Sequence, residues 1–169
     1  FNSDSAFWSD LGYVLGGDRL RTAADYQRYL DRLGQVPAYF DQQIANMRAG
    51  LRRGFSVPRA VLDGRDASIA AVAELKDPTR SSFYEPFRQL PASIPADRAQ
   101  ALQGRALRQI RDEVIPAYAK LLAFFRNEYV PQARTTLAAE ALPDGKAFYR
   151  QQIREYTTLE LGPDEIHQI

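Results

Sequence analysis

Cysteine is absent from the 169 residues, which removes disulfides, thiolate metal ligands and cysteine nucleophiles in one step. The compartment stays open, because many periplasmic proteins also do without cysteine. Histidine is nearly absent too, His167 being the single one. A catalytic zinc site draws several His, Asp or Glu side chains onto one ion, often from two histidines four residues apart on one helical face. The nearest acid to His167 is Glu165, two positions away and on a different side of any helix. No metal site is therefore expected within this chain, and His167 reads as a structural or exposed helix-face residue. Ser56, Ser68, Ser81, Ser82 and Ser93 lie in no nucleophile-elbow pattern and have only that histidine as a base, so acyl transfer is unsupported. No catalytic residue is expected.

A long apolar run is missing as well. Nothing approaches the roughly 18 residues needed to cross a bilayer, and no basic, apolar, small-residue order at the start reads as a signal peptide. The first residue is Phe1 rather than methionine, so an upstream segment is expected to have been removed or to lie outside this sequence. Net charge is small: 22 basic against 21 acidic side chains leave +1, and no global field draws the chain to nucleic acid or an anionic membrane. Of the basic residues only Lys76, Lys120 and Lys146 are lysines, a bias that with abundant alanine resembles a GC-rich bacterial genome. Strand alternation is lacking. So are the G-x-G-x-x-G and G-x-x-x-x-G-K patterns, since Gly16-Gly17, Gly50 and Gly54 are scattered, and a phosphate cradle has no basis.

What the sequence does contain is helical punctuation. Thr22 with Asp25 three residues on resembles a capping box, and the stripe Tyr26, Leu30, Leu33 runs to Gly34, predicting a helix over 23–33. Pro37 suits a first helical turn, and Phe40, Ile44, Met47 and Leu51 repeat by 4, 3 and 4 until Gly54. Ser56 and Pro58 open a third segment with Val61, Ile69, Val72 and Leu75, split or weakened by Gly64 and closing near Asp77-Pro78. Residues 79–94, with Pro86, Pro91, Phe83, Tyr84 and Phe87, predict an irregular connection. The longest pattern runs from Pro95 to Tyr129 through Leu107, Ile110, Val114, Tyr118, Leu121, Phe125 and Tyr129, with a kink near Pro116. Leu142-Pro143-Asp144-Gly145 predicts a turn, followed by a helix over 146–156 with Phe148, Ile153 and Tyr156 buried. Gly162-Pro163 starts a last helix, whose apolar face of Ile166 and Ile169 has no later partner. The expectation is an all-α, irregular bundle of about six to seven helices. Residues 1–169 would be one helical region, the N-terminal part of a larger domain cut at Ile169.

Three clusters have both a chemical and a packing reading. Asp112 and Glu113 diverge by about 100° around a helix, which suits solvation rather than shared acid/base work. Arg48, Arg52, Arg53, Arg59 and Arg65 could pair with phosphates, but Asp41, Asp63 and Asp66 are close in sequence and no aromatic residues interleave for base stacking. A solvated helix end is the expectation, with no nucleic-acid partner. Tyr118, Phe124, Phe125 and Tyr129 could line a groove, but at helical spacing core packing is expected.

Three stretches, RTAADYQRYLDRLGQVPAYFDQQIANMRAGLRRGFSVPRAV (21–61), EVIPAYAKLLAFFRNEYVPQAR (113–134) and LPDGKAFYRQQIREYTTLELGPDEIHQI (142–169), resemble in order and spacing the N-terminal part of the family called domain of unknown function 885. The last is the most specific. The resemblance implies a mostly helical bacterial protein, often periplasmic, secreted or lipid-anchored, with the cytoplasm left open, and similar to zinc metallopeptidases. In those a His-Glu-x-x-His helix and a later glutamate hold zinc, which activates water and polarises the scissile carbonyl. That motif would lie beyond Ile169, so no catalytic or metal residue maps onto this chain, and zinc is expected only in the full-length protein. The implied contribution of residues 1–169 is a non-catalytic wall or lid of the substrate cleft. Its partner would be the remainder of the same polypeptide, and Tyr149, Arg150 and Tyr156 would face a peptide substrate. The rival expectation is a self-sufficient helical binding or scaffolding module.

Overall fold

A computed structural model of the chain describes residues 6–9, 11–16 and 20–168, and every regular element in them is helical. A single turn, α1 (Leu11–Val14), precedes the first helix that the punctuation marks, α2 (Ala23–Leu33). The capping box of α2 is complete. The Asp25 N–H donates to Thr22 Oγ1 at 3.3 Å, and the Thr22 N–H donates to Asp25 Oδ2 at 2.8 Å, so two otherwise orphaned donors are satisfied. The helix ends at Gly34 as expected, and this glycine is not in the left-handed conformation. The φ of Gly34 is −65°, and a Cβ at this position would stand 2.8 Å from Gln109 Nε2, which donates to Leu30 O. The glycine is required for close approach. Almost without a break α3 follows (Val36–Arg52), with Pro37 in its first turn and Gly54 at φ +77° just beyond its end.

Gly64, at φ +72°, does split the third segment. A 3₁₀ turn at Arg59–Val61 comes before it, and α4 (Ala67–Ala73), which buries Ile69, comes after it. Val61, on the expected apolar stripe, is exposed in that 3₁₀ turn, whereas Ile69 is fully buried. Residues 78–87 form two 3₁₀ turns, capped by the side chains of Asp77 and Ser81. This irregular connection is nonetheless core, since Phe83, Tyr84 and Phe87 are buried.

From Ala96 to Gln132 the backbone is helical throughout: α5 (Ala96–Gln109), a π segment at Ile110–Val114, α6 (Ile115–Phe124), a second π segment at Phe125–Tyr129, and α7 (Val130–Gln132). Counted as one, this run gives seven α-helices among the described residues. The break expected near Pro116 takes the form of the first π segment. Proline brings no N–H and crowds the preceding turn, and a widened turn relieves both effects. The Ile115 N–H accordingly donates to Ile110 O, five residues back. The second π segment stands in the same relation to Pro131, with the Val130 N–H donating to Phe125 O. The expected stripe is buried from Ile110 to Tyr129, and Leu107 is half-buried against the core.

α2 packs on α5, while α3 and α4 pack on α6. They enclose one core from Leu11 to Ala133, dense in aromatic pairs such as Phe40 and Tyr118, whose ring centroids are 4.8 Å apart. Residues 6–9 close one side. The Tyr118 hydroxyl donates to Trp8 O at 2.7 Å, and the Trp8 indole N–H donates to Ser68 Oγ at 2.9 Å. Buried Leu142 and Ile153 lie outside that core, under the two last helices, α8 (Gly145–Thr157) and α9 (Pro163–Gln168).

Candidate functional site

Two arginines tie the end of the long helix to the loop after α3. The Arg59 guanidinium donates to Pro131 O and Ala133 O, carbonyls left without helical partners, and the Arg59 N–H donates to Arg134 O at 2.8 Å. Arg134 returns the contact. Its N–H donates to Ser56 Oγ at 2.9 Å, its Nε to Ser56 O at 3.0 Å, and its Nη1 to Thr136 O and Ala138 O at 2.6 and 3.0 Å. One side chain therefore shapes the extended stretch that leads to α8. The turn expected at 142–145 is present. Leu142 is buried, Pro143 sits against Gly54, and Asp144 adopts a left-handed φ of 55°. Gly145 lies so close to the backbone of Ala139 and Glu140 that a Cβ would stand 2.8 Å from Glu140 Cα.

α8 packs on the Ala139–Ala141 turn and on α9. Of the three side chains expected to be buried on it, only Ile153 is, at 8% exposure. Phe148 and Tyr156 are corrections, 44% and 83% exposed, because no part of the central core reaches that side of the helix. The candidates Tyr149, Arg150 and Tyr156 are all at the surface. Seven residues apart, Tyr149 and Tyr156 differ by only about 20° around the helix and share a face, whereas Arg150 is rotated by about 100°. With Phe148 and Leu159, itself 52% exposed, the tyrosines make this end of the molecule unusually apolar for a surface. Leu159 and the exposure of Phe148 escaped the sequence reading. No local signal marked them: at 100° per residue Phe148, Tyr149 and Tyr156 fall within about 100°, the width of an ordinary buried stripe, and Leu159 lies beyond the end of α8.

The other candidates are dispersed. His167 is exposed on α9, while Glu165 accepts the Gly162 N–H at 2.6 Å and so caps that short helix. Ile166 is half-buried, and Ile169 lies outside the described residues. Ser56 and Ser68 accept the hydrogen bonds already given, Ser81 caps the Phe83 N–H, and Ser82 and Ser93 are exposed. Asp112 pairs with Arg111 at 2.7 Å, which holds its carboxyl below the usual carboxylate range. Glu113 turns instead toward Gln109 at 3.5 Å. In the arginine cluster, Arg48 donates to Glu128 at 2.7 Å, which lowers the pKa of that carboxyl, and it lies 5.0 Å over the Phe124 ring. Arg53 lies 5.8 Å over Phe55. Arg48 and Arg59 thus serve packing and capping. Tyr118, Phe124, Phe125 and Tyr129 are all buried. Gly50 lets the chain close on Phe55 O, Gly54 makes a left-handed turn, and Gly17 lies outside the described residues. Among the described residues no three His, Asp or Glu side chains converge as metal ligands, and no helix is long and apolar enough to cross a membrane.

The described residues thus form an all-helical bundle, with α8 and α9 packed outside its core. The chain is a member of the bacterial family of proteins of unknown function DUF885, whose model matches residues 1–169. Among solved structures it is similar to the "putative lipoprotein" of Colwellia psychrerythraea, with a TM-score of 0.84 at 22% identity. That likeness spans 99% of this chain and 29% of the Colwellia chain. No curated protein matches.

Proposed function

We propose that residues 1–169 are the non-catalytic helical N-terminal region of a zinc-dependent, peptidase-like hydrolase, forming a wall or lid of its substrate cleft. The observation that carries this reading is the group of exposed apolar side chains at α8, with Tyr149 and Tyr156 on one line of the helix, Phe148 also exposed on it and Leu159 exposed just after its end. Such a face gains from being covered, and tyrosine rings with a polar tip suit an extended peptide. Family membership, with residues 142–169 as the stretch that most specifically resembles the N-terminal part of that family, supports the assignment. So does the size of the Colwellia chain, of which these residues match 29%. Zinc and its ligands would come from the remainder of the polypeptide, and the peptide would pass between that part and α8. A periplasmic or lipid-anchored location goes with this reading, in line with how the Colwellia protein is described.

The test is to read the gene beyond the codon for Ile169. A helical His-Glu-x-x-His with a later glutamate, stoichiometric zinc in the purified full-length protein and peptide hydrolysis sensitive to Tyr156→Ala would support the proposal. A reading frame that closes near Ile169 would overturn it. One observation favours a second reading, a self-sufficient binding module: a single core runs from Leu11 to Ala133 without help from α8 or α9. Cooperative melting of the chain as a monomer, unchanged when the chain is extended, would decide for the module.

A further inference from the structure

We propose that the cleft between the N-terminal segment and the α2–α3 corner binds a small amphipathic carboxylate, its apolar body against the bundle and its carboxylate on Arg32. The inference goes beyond the hydrolase reading and does not depend on it. The cleft holds about 540 Å³, within the range of small-molecule pockets. Phe7, Leu11, Leu15, Val36 and Tyr39 make its walls, and Val14, 67% exposed, stands at its mouth. Polar groups are few: Arg32 at the end of α2 and Gln35 at the start of α3. The neighbouring charges on α2 are engaged, Arg28 with Asp25 and Asp31 with Arg105 and Gln27. The Arg32 guanidinium has no hydrogen-bond or ion-pair partner among the described residues, while the residue's carbonyl accepts from the Gln35 N–H. After α1 the chain turns at Gly16, φ +72°, and a Cβ there would lie 3.6 Å from Arg32 Nη2, so the turn runs beside the guanidinium.

This combination selects the ligand's chemistry. The apolar walls call for an aliphatic or aromatic body. A single guanidinium matches one carboxylate, which it can hold through two parallel N–H donors, and the Gln35 amide adds a neutral donor nearby. A peptide backbone would bring several donors and acceptors into a wall that offers few partners for them.

Isothermal titration calorimetry of the intact protein with octanoate, and with 1-octanol as its uncharged counterpart, tests the proposal. Octanoate is expected to bind saturably at one site per chain, about tenfold more tightly than octanol. Arg32→Gln should remove that advantage while leaving octanol binding unchanged, and Arg32→Lys should keep most of it. Val14→Asp should weaken both ligands without disturbing the core, its helical circular dichroism staying that of the unsubstituted protein. Absence of saturable octanoate binding below about 1 mM, an Arg32→Gln variant that still prefers octanoate, or binding of peptides alone would each overturn the assignment.

Discussion

At Asp25 the local motif fixes both geometry and charge. The Thr22 hydroxyl bond, the backbone N–H donors of Thr22 and Arg21 and the nearby Arg28 hold its carboxyl down to about 2. A folded pKa below the unfolded value of about 3.9 means that the cap's electrostatic contribution is present above pH 4 and lost as pH falls toward 2. Thr22→Ala should raise the Asp25 pKa, followed by carboxyl NMR, and cost about 1 kcal/mol in denaturant unfolding. Burial pushes the Tyr29 phenol in the opposite direction, up to about 12. Its contribution is present below pH 10 and disappears as pH rises through 12, so absorbance at alkaline pH should show a tyrosine ionising late, together with unfolding. Gly145→Ala would drive a Cβ into the backbone of Ala139 and Glu140, an overpacking expected to cost about 1–3 kcal/mol. Calorimetric melting would measure it. Thr22 and Asp25 were legible because they are three positions apart. The role of Gly34 was not, because the Gln109 side chain that crowds it comes from another helix and bonds to Leu30, 79 positions away.

Among elements, the long helix was read from its stripe and from Pro116, while its second π segment was not. The apolar stripe ends at Tyr129, just ahead of Pro131, yet three more helical residues follow, Val130–Gln132. They persist because Arg59 and Arg134 fasten the chain immediately beyond them. Arg134→Ala would strip donors from Ser56 O, Thr136 O and Ala138 O. Since water reaches part of this site, the expected loss is about 1–2 kcal/mol, and amide exchange should accelerate over 134–142 while α5 and α6 keep their protection. α8 shows the complementary error. Its boundaries followed from the turn residues, but the side that faces the protein did not, because Phe148 and Tyr156 fit a helical stripe as well as Ile153 does and only the neighbouring elements select among them.

At the scale of the whole molecule, one aromatic-rich core carries the bundle and α8 with α9 stands outside it. Phe40, fully buried and in ring contact with Phe7 and Tyr118, tests that division. Phe40→Ala should cost about 3–5 kcal/mol and lower the Tm by about 10 °C, whereas Tyr156→Ala, at a side chain 83% exposed, should leave the Tm unchanged and affect only what binds α8. Helix positions, their caps and the all-α class follow from the sequence, because periodicity, capping side chains, glycine and proline act over a few residues. The absence of cysteine and the scarcity of histidine likewise limit what this chain's own side chains can do. Which apolar faces are covered, which arginines become structural, and where a cleft stays open beside Arg32 are decided only by tertiary packing. Those outcomes depend on contacts between residues tens of positions apart, which no local pattern records.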